Sequence, residues 1–242
     1  MMSRLSLAAA LALATTGVHA ADLGVPRQPV DAAVIAPVFD WSGLYAGIQG
    51  GYAGTHQAWT VTFPGPFRTG WAGQGGLVGL HVGANRQFGR LVLGLQADIN
   101  AGAIAGSITD PPVVFASRAN LLGALEARVG IATDRFLIYA AGGAAGTDAR
   151  HSFTLGQIGP VVFRQNWLGW TVGGGAEYAF GSGWTARLEY RFADFGSRAY
   201  PATPVGGNGV INAHSHRQTI QTVRLGLSYL FSTGPVAVSA RY

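Results

Sequence analysis

Residues 184 to 192 read W-T-A-R-L-E-Y-R-F, and no other stretch narrows the fold of this chain so much. Trp184, Ala186, Leu188, Tyr190 and Phe192 alternate with Thr185, Arg187, Glu189 and Arg191. A period of two marks a β-strand with two unlike faces, and no helical register gathers these apolar residues on one side. The stretch is also about as long as a tilted strand that crosses a bilayer. If the charged face looked into hydrocarbon, each arginine would cost roughly 2–4 kcal/mol at the midplane. The apolar face is therefore expected against lipid and the Arg-Glu-Arg row inside a closed sheet.

Composition agrees. The chain has 37 glycines among 242 residues and only 11% charged residues, yet its mean hydropathy is positive. So few charges would cover a water-facing surface poorly, but they suit a barrel that is oily outside and polar inside. Cysteine is absent, which excludes disulfides and thiol chemistry. The basic residues are all arginine, and their modest excess over acids favours acidic lipid headgroups more than nucleic acid. At the start, Arg4, the apolar run Leu5 to Ala14 and the small-x-small Val18-His19-Ala20 predict an export signal over 1–20. Residues 21–40, with three prolines, are expected as a periplasmic lead-in, 41–231 as the barrel and 232–242 as a tail.

Eight strands are predicted: Trp41 to Ala53, Leu77 to Phe88, Leu91 to Asn100, Asn120 to Ile131, Arg135 to Gly146, Trp167 to Phe180, Trp184 to Phe192 and Thr219 to Phe231. The fifth is apolar on both faces, so its sides stay unassigned. Gly89-Arg90, Thr133-Asp134 and Gly181-Ser182-Gly183 read as tight turns. The stretches 54–76, 101–119, 147–166 and 193–218 read as long loops rich in Gly, Pro, Ser and Thr. Short turns alternating with long loops are the pattern of an all-β, eight-stranded, antiparallel up-and-down transmembrane barrel with both termini in the periplasm.

The charges set the register. The three glutamates, Glu126, Glu177 and Glu189, fall on predicted inward faces, with Arg128, Arg187, Arg191 and Arg224 on the same face. His81 and Asp98 are also expected inward. An eight-stranded interior is just wide enough for side chains to fill it, so Arg–Glu pairs are expected to plug the lumen. Trp170, Tyr178, Phe180, Trp184, Tyr190, Phe192, Tyr229 and Phe231 are expected on the lipid side.

F-D-W-S-G-L-Y-A-G-I-Q-G-G-Y-A-G (Phe39 to Gly54), L-V-L-G-L-Q-A-D (Leu91 to Asp98), L-E-A-R-V-G (Leu125 to Gly130), W-T-A-R-L-E-Y-R-F-A-D-F-G (Trp184 to Gly196) and V-R-L-G-L-S-Y-L-F (Val223 to Phe231) carry a resemblance. They resemble the porin-like surface-antigen family of small alphaproteobacterial outer-membrane proteins, over most of residues 39 to 242. The resemblance implies a barrel shaped like the OmpA membrane domain and an abundant surface protein of the Gram-negative cell envelope. Some members of the family are described as haem binders. Leu227 to Phe231, ending in an aromatic, resembles the signal read by the barrel-assembly machinery; the tail to Tyr242 ends in an aromatic as well.

No catalytic constellation stands out. His81 reads as a hydrogen-bonded lumen residue, and Gly173-Gly174-Gly175 as strand glycines without the following helix of a phosphate loop. His56, His151, His214 and His216 read as loop residues. His214-x-His216 is the one candidate ligand site, for a metal or haem iron, against the plainer reading of two solvated histidines. The expected function is a structural and surface role in envelope integrity, carried out by a monomer in contact with outer-membrane lipid and lipopolysaccharide, with no enzymatic activity, no metal and no cofactor. A haem- or host-surface-binding protein and a narrow porin are the alternatives. Arg68, Arg118, Arg150, Arg164, Arg198 and Arg217, set in the predicted loops, suggest a basic rim toward lipopolysaccharide phosphates.

Overall fold

A computed structural model describes residues 39–61, 67–110, 113–155, 158–200, 203–205, 209–211 and 214–231. The expected export signal, the lead-in up to residue 38 and the tail from 232 lie outside the described residues. Ten strands follow in chain order: β1 (Gly43–Val61), β2 (Phe67–Phe88), β3 (Leu91–Asp110), β4 (Val113–Thr133), β5 (Phe136–Leu155), β6 (Ile158–Gly181), β7 (Trp184–Tyr200), β8 (Thr203–Val205), β9 (Gly209–Ile211) and β10 (His214–Phe231). Eight of them close an antiparallel barrel in the order β1-β10-β7-β6-β5-β4-β3-β2. At the seam, β1 runs against β10 from Leu44↔Phe231 to Val61↔His214. Closure pairs the backbone of every barrel strand on both sides and leaves no edge, as hydrocarbon demands. β8 and β9 pair only with each other.

The tight turns lie at one end of the barrel, at Gly89-Arg90, Asp134-Arg135 and Ser182-Gly183. Gly89, Asp134, Ser182 and Gly183 take φ of 62°, 51°, 51° and 83°, the left-handed conformations that hairpin turns require. The second turn therefore sits one residue later than the Thr133-Asp134 expected, because Asp134 tolerates the left-handed region and Thr133 still pairs with Phe136.

The long loops need a larger correction. Most of 54–76, 101–119, 147–166 and 193–218 is strand, so the barrel strands run 17 to 24 residues and continue as hairpins beyond the lipid band. Glycine and proline make these stretches look like loops. Yet Pro64, Pro66, Pro111 and Pro112 fall outside the described residues, and the ladders on either side keep their backbone bonds. Register shifts mark the transition: between Ala101 and Ile104 on β3, between Ala119 and Leu122 on β4, and opposite Arg217/Thr219 on β7, where Gly196 takes φ 72°.

The exterior is an apolar belt between two sets of aromatic rings. Near the turn end, Phe136 meets Tyr178 at 5.0 Å, and Trp184, Tyr229 and Phe231 form a chain of edge-to-face contacts at 5.3 and 5.0 Å. Towards the other end Trp170 packs on Phe192 at 5.6 Å. From Trp184 to Phe192 the strand rises about 26 Å at ~3.3 Å per residue, or about 20 Å along the membrane normal at a tilt near 40°. Leu125, Ile138 and Leu225 between the rings are more than 60% exposed, which only a lipid surround makes favourable. On β5 the sides are now assigned: Phe136 and Ile138 face out, while Leu137, Tyr139, Ala141 and Ala145 are buried in the lumen.

Candidate functional site

The lumen is filled in layers. At the turn end Trp41, Val92, Ala132, Leu137, Tyr139, Ala141 and Ala179 form an apolar layer, with the Trp41 indole donating to the Asp134 carbonyl at 3.2 Å. Above it lies a layer of four arginines and four carboxylates, all at most 8% exposed. Arg191 is its hub: Nη1 donates to Asp98 Oδ2 at 2.7 Å, and Nη2 to Glu126 Oε2 at 2.5 Å with Glu189 Oε1 at 3.0 Å. Arg224 bridges Asp98 Oδ1, at 3.2 Å, and Glu189. Arg187 lies 3.9 Å from Glu189 and donates to Gln49 and, at 3.2 Å, to Gln96. Arg128 pairs separately with Glu177 at 2.8 Å, donates to the Tyr45 hydroxyl at 2.9 Å, and lies 3.8 Å over the Tyr139 ring.

The formal charges of this layer cancel, which is what burial at this depth requires: an isolated buried charge costs several kcal/mol, and pairing offsets it only when further hydrogen bonds complete the shell. Neutral side chains supply those bonds. The Tyr139 hydroxyl donates to Glu189 Oε2 at 2.7 Å, Gln96 donates to Glu126 at 2.6 Å, and Asn100 donates to Asp98 at 2.6 Å. His81 meets Ser228 at 2.7 Å and shares the lumen with this group without joining its ion pairs. Glycines opposite the long side chains make the room. A Cβ on Gly226 would stand 2.9 Å from Arg187 Nε, and one on Gly47 would stand 2.5 Å from the His81 ring.

A second apolar layer follows, made of Ala53, Leu77, Ile104, Ala119, Ala145, Trp167, Ala193, Phe195 and Ile220. A void of about 20 Å³, room for roughly one water, separates it from Asp98, Arg191 and Arg224. Beyond it His216 is enclosed by indoles. It stacks on Trp71 at 6.1 Å and meets Trp59 and Trp167 edge-on at 5.7 and 5.3 Å. Gln57 hydrogen-bonds His216 at 3.2 Å and donates to Ser117 at 2.6 Å.

Every residue of the expected polar network, His81, Asp98, Glu126, Arg128, Glu177, Arg187, Glu189, Arg191 and Arg224, is buried in the lumen. Tyr45, Gln49, Gln96, Asn100 and Tyr139 also belong to it; the alternation of β1 and β3 carries the signal of the first four, whereas Tyr139 lies on β5, which is apolar on both faces. Trp170, Tyr178, Phe180, Trp184, Tyr190, Tyr229 and Phe231 are exposed on the belt, and Phe192 is half-buried against Trp170. The candidate loop ligand pair needs correcting. His216 is a strand residue, 1% exposed among three tryptophans, because the β10 ladder extends past the membrane and turns it inward. His214 opens β10 opposite Val61. Among the described residues, no three His, Cys, Asp or Glu side chains converge in a way that would hold a metal.

Residues 7–231 match the family model described as outer membrane protein beta-barrel domain. The chain is 31% identical to the 31 kDa outer-membrane immunogenic protein of Brucella melitensis, over 95% of this chain and all of that protein. It is 28% identical to the 25 kDa outer-membrane immunogenic protein of Brucella canis, over 96% of this chain and 99% of the relative. Among solved structures, the outer-membrane protein OprG of Pseudomonas aeruginosa aligns with a TM-score of 0.48 at 13% identity, over 78% of this chain and 97% of that one.

Proposed function

From its membership of the outer membrane protein beta-barrel domain family, which makes it an outer-membrane protein, we propose that this chain is a non-conducting structural barrel of the cell surface. The observation that supports the reading is the filled lumen, an ionic layer held between two apolar ones. A hydrated ion would have to shed water twice in apolar surroundings and displace charge-assisted bonds between them. Residues 1–20 direct export and are removed. The turn end and both barrel termini face the periplasm, as short turns do in barrels of this kind, and the extended hairpins stand outside the cell. The strand end at Phe231 offers its aromatic to the assembly machinery, and the barrel works as a monomer with lipid as its surround.

The test is conductance. Protein refolded into a planar bilayer is expected to give no steady current above the bare membrane at 100 mV in molar salt, and regular open levels would refute the reading. Protease added to intact cells is expected to cut only in the extended hairpins, which checks the orientation separately.

A further inference from the structure

The outer wall of the extended end carries a feature that the lumen does not explain. Arg118 on β4 stands directly opposite Arg150 on β5, and Arg150 stands directly opposite Arg164 on β6. Ser117 and Ala119 on either side of Arg118 are buried in the lumen, so Arg118 faces outward, and Arg150 is exposed on the same wall. Like charges placed directly opposite across a sheet destabilise it. Arg118 and Arg150 in one register therefore make an unfavourable arrangement unless an anion joins them. Among the described residues, no ion pair involves Arg118 or Arg150. Arg217, on the same outer wall, is tied to Asp194 at 2.6 Å.

The row lies at a telling height. Arg118 is three residues beyond the exposed Leu121, and position 164 is four beyond the exposed Leu168. At ~3.3 Å per residue this is roughly 10–13 Å along the strand, just outside the apolar belt, where the headgroup phosphates of a bilayer begin. The wall there is also hollowed. Arg118 and Arg150 border a groove of about 480 Å³ whose other walls include Ala105, Ala116, Ser152 and Val162. Small side chains leave space for a bulky headgroup, and two neighbouring guanidinium forks suit the planar, multidentate recognition of phosphate.

We propose that Arg118 and Arg150, with this groove, bind a phosphate of a phosphorylated glycolipid in the outer leaflet, of the lipid A type. The site rests on the orientation proposed above, in which the extended end lies outside. A titration in micelles contains no leaflets, so its failure is distinct from a failure of that orientation.

Protein refolded in a non-ionic detergent is titrated with bisphosphorylated lipid A, with the same lipid after phosphatase treatment, and with phosphatidylglycerol, and bound lipid is counted by native mass spectrometry. Half-saturation by bisphosphorylated lipid A is expected at least tenfold lower than by either other lipid. The R118Q/R150Q variant is expected to lose that preference, while R90Q/R135Q at the turn end keeps it. Equal binding of phosphorylated and dephosphorylated lipid A, or of phosphatidylglycerol, overturns the proposal, and so does an unchanged preference in R118Q/R150Q. Should that variant fail to show the compact mobility of an unboiled barrel in SDS gels, the three-lipid comparison on the unaltered protein decides alone.

Discussion

At the scale of single residues, the ionic layer is governed by what happens to a partner left behind. Glu189 serves Arg191, Arg224 and Tyr139 and stands near Arg187. Its removal strands positive charge in a site 1% exposed. Glu189→Ala is expected to destabilise the barrel by about 3–5 kcal/mol, read as a lower urea midpoint for loss of the compact, unboiled SDS-gel band. Arg224→Ala alone should cost a similar amount, and the double variant should cost clearly less than the sum, since the second deletion removes the charge that the first exposed. Additive costs would mean that the two groups are not coupled. The alternation of residues 184–192 assigns Arg187, Glu189 and Arg191 to the inward face, because no other placement keeps them from hydrocarbon. Which carboxylate each guanidinium meets could not be read that way. Asp98 and Glu126 reach Arg191 from strands 93 and 65 residues away, and their approach depends on the stagger of the closed sheet.

At the scale of elements, the strands outrun the membrane, and the bulges manage the change. Where β7 leaves the belt, Phe195 and Gly196 together face the single residue Gln218 of β10, and Asp194 holds the join. Its carboxylate accepts from the Gly196 backbone N–H at 2.8 Å and from Arg217 at 2.6 Å. Burial would raise this carboxyl, but the bonds from Arg217 and Gly196 outweigh it and hold the group below its ordinary value. A depressed carboxyl contributes stability that is complete above the ordinary value, about 3.9, and is lost as pH falls through the lowered one. Protection of the Thr219 and Ile220 amides in micelles, relative to the intrinsic exchange rate at each pH, is therefore expected to be high at neutral pH and to fall below about pH 4. In Asp194→Asn that protection should be lower throughout and constant across the window, and matching protection profiles for the two proteins would dismiss the tie. The strand cores of β1, β3 and β7 are legible from alternation. The extended hairpins are not, because the same glycines and prolines that punctuate a loop also populate a twisted ladder.

At the scale of the whole molecule, closure of the lumen is shared between layers of different chemistry. A plug made only of ion pairs would open once Glu189 or Arg187 was shortened. With Leu137 and Tyr139 below and Ile220, Phe195 and Leu77 above, Glu189→Ala is expected to leave the planar-bilayer current at baseline. Leu137→Ala and Ile220→Ala added to it should produce measurable single-channel steps, and conductance from Glu189→Ala alone would show that the ionic layer is the only seal. The apolar layers are hard to see in the sequence because a strand such as β5, apolar on both faces, has no alternation to say which half lines the lumen. Period-two patterning and the scarcity of charge determine, without any structure, that this chain is an inside-out barrel, since hydrocarbon penalises every misplaced arginine by kilocalories. Only the closed sheet decides the depth of each lumen residue, the burial of His216, the layering of the plug and the pair Arg118–Arg150 on the outer wall. Those depend on stagger and bulges between strands far apart in the chain, where the energy differences are spread over many weak contacts and leave no local mark.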